Sequence, residues 1–166
     1  VAFVLYGKYG KNVAESTRAM QEIHRISGLT HRHPLAQSAC GIYISIACHI
    51  LDGETIPMAV YHGVEKALEW YGGHSRFLPI MDAWKKLAFV AQRDEDSIRS
   101  GGYVVETLET ALWCLLRTKS YGECVLRCVN MGYDTDSTAA VAGGLAGLYY
   151  GYDAIPQEWV SLLAGK

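Results

Sequence analysis

Two carboxylates, Asp134 and Asp136, stand one residue apart in the stretch MGYDTDSTAAVAGGLAG, residues 131–147. A hydroxyl follows each of them, Thr135 and Ser137. Two carboxylates and a hydroxyl at i, i+2 and i+3 can face one point where the chain turns into a helix. Hard oxygen donors of this kind suit Mg²⁺, Mn²⁺ or Ca²⁺ rather than a thiolate-bound Zn²⁺. The plainer reading is a capped turn, because Asp and Ser side chains satisfy the free N–H groups of a helix start and Asp suits that end of the dipole. Two sharper readings fail on spacing. An EF-hand loop from Asp134 needs Gly at its sixth position and Glu at its twelfth, where this chain has Ala139 and Leu145. A phosphatase-type D-x-D-x-T needs a buried strand just before Asp134, but YGECVLRCVNMG reads as a capped helix.

Elements that could position these residues follow from the punctuation. Asn12 and Glu15 are spaced as a capping box for a polar helix running to about Ile26. Pro34 suits the first turn of a helix whose apolar positions end near Asp52-Gly53. Another helix starts at Thr55 or Ile56 and stops at Gly72-Gly73. RFLPIMDAWKKLAFV reads as a short helix with a broken start, and RDEDSIRSGG as a polar loop. Val104 to Leu116 is helical by period. Ser120 and Glu123 cap a helix to about Val129, GYDTDST is a turn, Ala139 to Tyr150 is helical, and Pro156 opens a last short helix with Trp159. No alternating run makes a strand. The expectation is one all-α domain over residues 1–166, a compact orthogonal helical bundle.

Ala140, Gly144 and Gly147 place small residues on one face of the penultimate helix. Glycine inside a helix costs about 1 kcal/mol against Ala, so a neighbouring helix or a ligand comes close there.

Bulk properties narrow the function classes. Half of the 166 residues are hydrophobic and 19% are charged, which suits a folded core. The formal net charge is -2, with no basic run and no RNA-binding or zinc-finger pattern, so no nucleic-acid surface is expected. The five cysteines lack a C-x-x-C pair and sit in apolar segments. They read as buried free thiols of a reducing, cytoplasmic compartment. No apolar run reaches the ~18 residues of a bilayer span, so no membrane partner is expected.

The segment from Gly132 through Trp159, with its late Ile155-Pro156, resembles the C-terminal signature of the ADP-ribosylglycohydrolase family. SGGYVVETLETALW, residues 100–113, is similar to a second block of that family, and LTHRHPLA, residues 29–36, to a third. The bacterial dinitrogenase-reductase-activating branch is the nearest in pattern. The resemblance implies an all-α fold and two divalent cations, Mg²⁺ or Mn²⁺, with Asp134, Asp136 and Ser137 as metal ligands. It further implies that Tyr103 stacks on adenine, that Gly101 and Gly102 let the backbone approach the nucleotide, and that His31 lies near the substrate ribose, His33 less clearly so. The implied substrate is an ADP-ribosylated protein or another ADP-ribose derivative, with arginine as one acceptor.

The family's N-terminal glutamate segment, G-D-x-x-G-x-x-x-E, and its Thr-Asp-Asp motif do not occur in this chain. No catalytic base is therefore assigned, and half of the dinuclear site is missing. With the apolar opening VAFVLYGKYG, which reads as a cut surface, the expectation is a fragment: an incomplete domain lacking its N-terminal helices. The alternative is a non-catalytic ADP-ribose or nucleotide-binding module, an inactive relative. His24, His49, His62 and His74 lack partners at ligand spacing and read as structural. Glu106 and Glu109 read as a solvated face, and Trp84, Trp113 and Trp159 as core anchors.

Overall fold

The computed structural model describes residues 1–163, apart from the side chain of Ala88. Its α-helices are α1 (Ala2–Tyr9), α2 (Thr17–Ser27), α3 (Pro34–Leu51), α4 (Ile56–Gly72), α5 (Val104–Leu116), α6 (Tyr121–Asn130), α7 (Thr135–Tyr150) and α8 (Gln157–Leu162). Four 3₁₀ segments join them, the longest at Leu78–Gln92. The described residues contain no strand, so the all-α expectation holds.

Local chemistry explains most boundaries. Pro34 takes the first helical position of α3, where its missing N–H is no loss, and His33 Nδ1 accepts from Leu35 N at 3.2 Å. His33 is thus the helix cap. Ser120 Oγ accepts from Glu123 N at 3.2 Å, while Glu123 Oε2 accepts from Lys119 N at 2.9 Å. The reciprocal bond reaches one residue before the cap.

Two expectations are corrected, on Asn12 and on Glu109. Asn12 does not open the second helix: its backbone leaves helical geometry inside a 3₁₀ segment, and Ser16 Oγ accepts from Ala19 N instead. The opening residues form α1, which buries Leu5 but leaves Phe3 and Val4 exposed. Glu109 is buried, not solvated, and pairs with Arg93 Nη1 at 2.9 Å.

α3 is the spine, packing against α1, α2, α4, α5 and α7. By length and composition it is apolar enough to cross a membrane, but two-thirds of it is buried in this core. This corrects the expectation of no membrane-length apolar run; in the sequence, Gln37, Ser38, Ser45 and His49 break the run. α3 and α4 come together at Gly63, where an added Cβ would stand 2.6 Å from Ile46 Cα. Trp84 and Trp113 are core anchors with satisfied indoles: Trp84 Nε1 donates to Ser38 Oγ and Trp113 Nε1 to the Arg93 carbonyl, both at 2.9 Å. Trp159 is only half-buried, against Tyr121. Cys48, Cys114, Cys124 and Cys128 are buried free thiols, and Cys40 is half-buried.

A polar network fixes the end of α2 to the spine. The Tyr71 hydroxyl donates to the Gln37 carbonyl at 3.2 Å, so its bond to His24 Nε2 at 2.9 Å is donated by the imidazole. Gln37 Nε2 in turn donates to the His24 carbonyl at 3.0 Å. Gly41 leaves room for the Tyr71 hydroxyl, with which a Cβ would collide.

Candidate functional site

The turn between α6 and α7 sets the acidic corner. Gly132 and Tyr133 are successive left-handed residues, φ 81° and 61°. Glycine adopts this freely; an exposed tyrosine does so at a cost of about 1 kcal/mol or more. The pair aims the chain so that Asp134 N donates to the Ser100 carbonyl at 3.0 Å, tying the corner to the loop before α5. Beneath it, Thr138 is fully buried. Its hydroxyl donates to the Asp134 carbonyl at 2.9 Å and lies 3.4 Å from Ser100 Oγ.

Asp134 stands at the N-cap of α7, yet its side chain makes no capping bond. The carboxylate is left for other work. The Ser137 backbone N–H foremost, and after it the Asp134 side chain, hold the Asp136 carboxyl below the usual carboxylate range. Two adjacent carboxylates at a helix N-terminus, beside an exposed serine hydroxyl, form a donor set that fits a Mg²⁺- or Mn²⁺-class cation.

Beside this corner opens a cavity of about 600 Å³. Asp134 and Ser137 line it together with His31, Gly102, Thr107 and a mostly apolar wall from α3, α5 and α7 that includes Tyr43, Leu108 and Val141. An apolar cleft with few convergent polar groups is what a small organic ligand needs. Four of the sequence-predicted residues therefore share one cavity: His31, Gly102, Asp134 and Ser137. Asp136 is exposed beside it. Tyr103 caps α5 and is half-exposed, but its ring lines a separate cavity with Arg93, Arg99, Glu106 and Glu109.

The two glycines divide in role. An added Cβ at Gly102 would stand 3.4 Å from Asp134 Oδ2, so Gly102 clears space beside the acidic corner. Gly101 instead makes room for the Glu106 carboxylate. His31 has an exposed side chain on a tight turn, and its backbone N–H donates to the Ser27 carbonyl at 2.8 Å. Of the small residues on one face of α7, Gly144 and Gly147 lie against Tyr43 and Tyr121, while Ala140 lines the cavity. Gly144 abuts the Tyr43 hydroxyl, and Gly143 lies against Tyr121 and Val125.

Sequence reasoning missed Thr138 and Ser100, whose buried hydroxyls brace the corner from below. The only signal was Thr138 four residues after Asp134, the spacing of a side-chain bond to a helix-start carbonyl. It also missed that His49 and His62 meet on one carboxylate, Glu54.

An all-helical chain with an acidic helix start beside an apolar cleft is the class that fold and site define. A sequence model of the ADP-ribosylglycohydrolase family matches residues 2–166, and the chain belongs to that family. It is 32% identical over 134 residues, 81% of this chain, to "ADP-ribosylarginine hydrolase Tri1" of Serratia proteamaculans (strain 568), 34% of which is covered. It is 31% identical over 138 residues to "ADP-ribosyl-[dinitrogen reductase] glycohydrolase" of Rhodospirillum rubrum, covering 83% of this chain and 41% of that protein. It is 26% identical over 122 residues to human "ADP-ribosylhydrolase ARH3", covering 67% and 34% respectively. The chain thus spans 34% to 41% of the length of these relatives.

Proposed function

We propose that this chain is the cation- and nucleotide-binding part of an enzyme that removes ADP-ribose from a modified acceptor by hydrolysing the glycosidic bond. One observation carries the reading: the paired Asp134 and Asp136 carboxyls stand beside Ser137 at the edge of an apolar cleft, with no capping bond to occupy Asp134. The names of the relatives, two of which specify ADP-ribosylarginine and ADP-ribosyl-dinitrogen reductase, support an ADP-ribosylated protein as substrate.

Asp134, Asp136 and Ser137 hold Mg²⁺ or Mn²⁺, and Gly102 leaves the approach to Asp134 open. His31, across the cavity, orients the ribose through a hydrogen bond to a hydroxyl. Tyr103 stacks on the adenine from the far side of Gly102, where a half-exposed ring is free to receive it. When bound, the cations supply Lewis-acid polarisation of substrate oxygens and a water of lowered pKa. The four buried thiols suit a cytoplasmic enzyme.

The test is ADP-ribose release from an ADP-ribosylarginine protein by the complete gene product that contains this chain, with and without Mn²⁺. Release is expected only with the cation, and Asp134→Asn is expected to lower it by about 100-fold or more, the scale of lost transition-state charge stabilisation. Absence of release by the wild-type product in saturating Mn²⁺ overturns the hydrolase reading.

A further inference from the structure

A second cluster of metal-binding side chains lies at the other end of the spine. His49 sits in the last turn of α3, Glu54 in the turn that follows, and His62 in the second turn of α4. His49 Nδ1 lies 3.0 Å from Glu54 Oε1, and His62 Nδ1 lies 2.8 Å from Glu54 Oε2. One donor atom from each of the three residues falls within 4.8 Å of the others. His49 is thirteen residues beyond Ala36, which lines the acidic-corner cavity, so about 20 Å of helix separates the two places.

The geometry points to a binding site for a divalent transition cation of the zinc type at His49, Glu54 and His62. Two imidazoles and one carboxylate are borderline donors, which select Zn²⁺ or Co²⁺ over Mg²⁺. Bonds of about 2.0–2.2 Å to each donor set tetrahedral ligands about 3.4 Å apart, so the nitrogen–oxygen pairs at 3.0 and 2.8 Å open by about half an ångström when a metal enters. Without metal, Nδ1 of each ring donates to Glu54; on binding, the ring proton moves to Nε2, and the two N–H···O bonds give way to nitrogen–metal and oxygen–metal bonds. A cavity of about 200 Å³ adjoins the three side chains and admits a water as the fourth ligand. The site is also built rather than incidental. His49 is 5% exposed, its Nε2 has no hydrogen-bond partner, and Glu54 alone fixes its ring.

Lys11 is the competing cation. Its Nζ lies 3.3 Å from Glu54 Oε1 and 3.1 Å from Asp52 Oδ2. Asp52 keeps the ammonium anchored when a metal takes the Glu54 oxygen, so the two can coexist at reduced affinity. A purely structural network predicts something different: Lys11 and the histidines share Glu54, and added metal changes nothing.

The test uses this chain with Zn²⁺ and Co²⁺ alone. Titration with Co²⁺ is expected to give visible d–d absorption of a four-coordinate nitrogen–oxygen site, displaced by one equivalent of Zn²⁺ and not by Mg²⁺. His62 is a third exposed, so His62→Ala keeps the fold. It is expected to weaken Zn²⁺ binding by at least about tenfold, since even residues that only support a ligand are worth 10- to 100-fold. Lys11→Met tightens it. Asp134→Asn with Asp136→Asn leaves it unchanged, which separates this site from the acidic corner. Co²⁺ spectra that are the same in wild type and His62→Ala, or that vanish in the Asp134/Asp136 variant, overturn the assignment.

Discussion

The bond between His24 and Tyr71 makes the fold sensitive to mild acid, with a sign and size that can be worked out. Burial, and after it the positive charge of Arg76 and the neighbouring His74, push the His24 imidazole down to about 4 from 6.5. It is 8% exposed and ringed by Trp70, Tyr71 and Phe77 at centroid distances of 5.1–5.6 Å. In the folded protein it stays neutral below pH 6.5, whereas in the unfolded chain it takes up a proton. The unfolded state therefore binds more protons between pH 6.5 and 4, and stability falls as pH drops through that window. Linkage gives a loss of about 2 kcal/mol between pH 7 and 5, growing to about 3 kcal/mol below pH 4. Glu54 does not confuse this range. Burial raises its carboxyl, but bonds from His49 and His62 outweigh that and hold it at about 2, so its contribution is lost only below pH 4.5. The assay is urea unfolding followed by tryptophan fluorescence at pH 7, 6, 5.5 and 5, on wild type and His24→Gln. Glutamine can still donate to the Tyr71 hydroxyl from its amide nitrogen but takes up no proton. Wild type should lose about 2 kcal/mol more than His24→Gln between pH 7 and 5. Parallel curves for the two proteins would refute a buried neutral His24.

Two substitutions test the packing. Gly63→Ala places a Cβ 2.6 Å from Ile46 Cα, a backbone atom that cannot swing away; a net loss of about 2 kcal/mol is expected in urea midpoint at constant slope. A gain of about 1 kcal/mol, as helix propensity alone gives, would show that α3 and α4 do not meet there. Arg93→Met strands the Glu109 carboxylate, 6% exposed, without its partner at 2.9 Å. It should cost about 3 kcal/mol in thermal or urea unfolding, and adding Glu109→Leu should restore most of it.

Where the sequence could be read, local chemistry decided the outcome. Pro34, Gly53, Pro57, Gly72 and Ser120 act within one turn of their own position, and the ends of α3, α4 and α6 fall where they put them. The failures involve partners far away or a backbone conformation. Asn12 and Glu15 have the spacing of a capping box, but spacing does not exclude a 3₁₀ turn, and Ser16 offers a better cap four residues on. α7 starts at Thr135 rather than near Ala139 because the left-handed pair Gly132-Tyr133 completes the turn early. Glu109 looks solvent-facing by type; Arg93, sixteen residues upstream, makes it a core residue. His49, Glu54 and His62 carry no motif because a helix end and a turn separate them, and only the packing of α4 on α3 closes the gap.

The candidate site shows the same division. Residue types singled out Asp134, Asp136 and Ser137 as the proposed cation site, but the shape of that corner rests on parts with no catalytic signature. Asp134 is free because its backbone is held from both sides, by the Ser100 carbonyl and by Thr138, so its side chain is not needed as a cap. The opposite wall, with His31, hangs from the end of α2, and α2 is held to the spine by His24, Tyr71 and Gln37. The cavity floor depends on Gly144, which lets the Tyr43 hydroxyl settle against α7 rather than project into the cleft. A substitution that shifts any of these supports moves the cleft without touching a ligand. The acidic corner should therefore keep its cation affinity when the His24–Tyr71 bond is lost, as in Tyr71→Phe, while the His31 wall loosens. Cation binding and nucleotide binding would then separate in that variant, because the first rests on α5 and α7 and the second needs α2 as well.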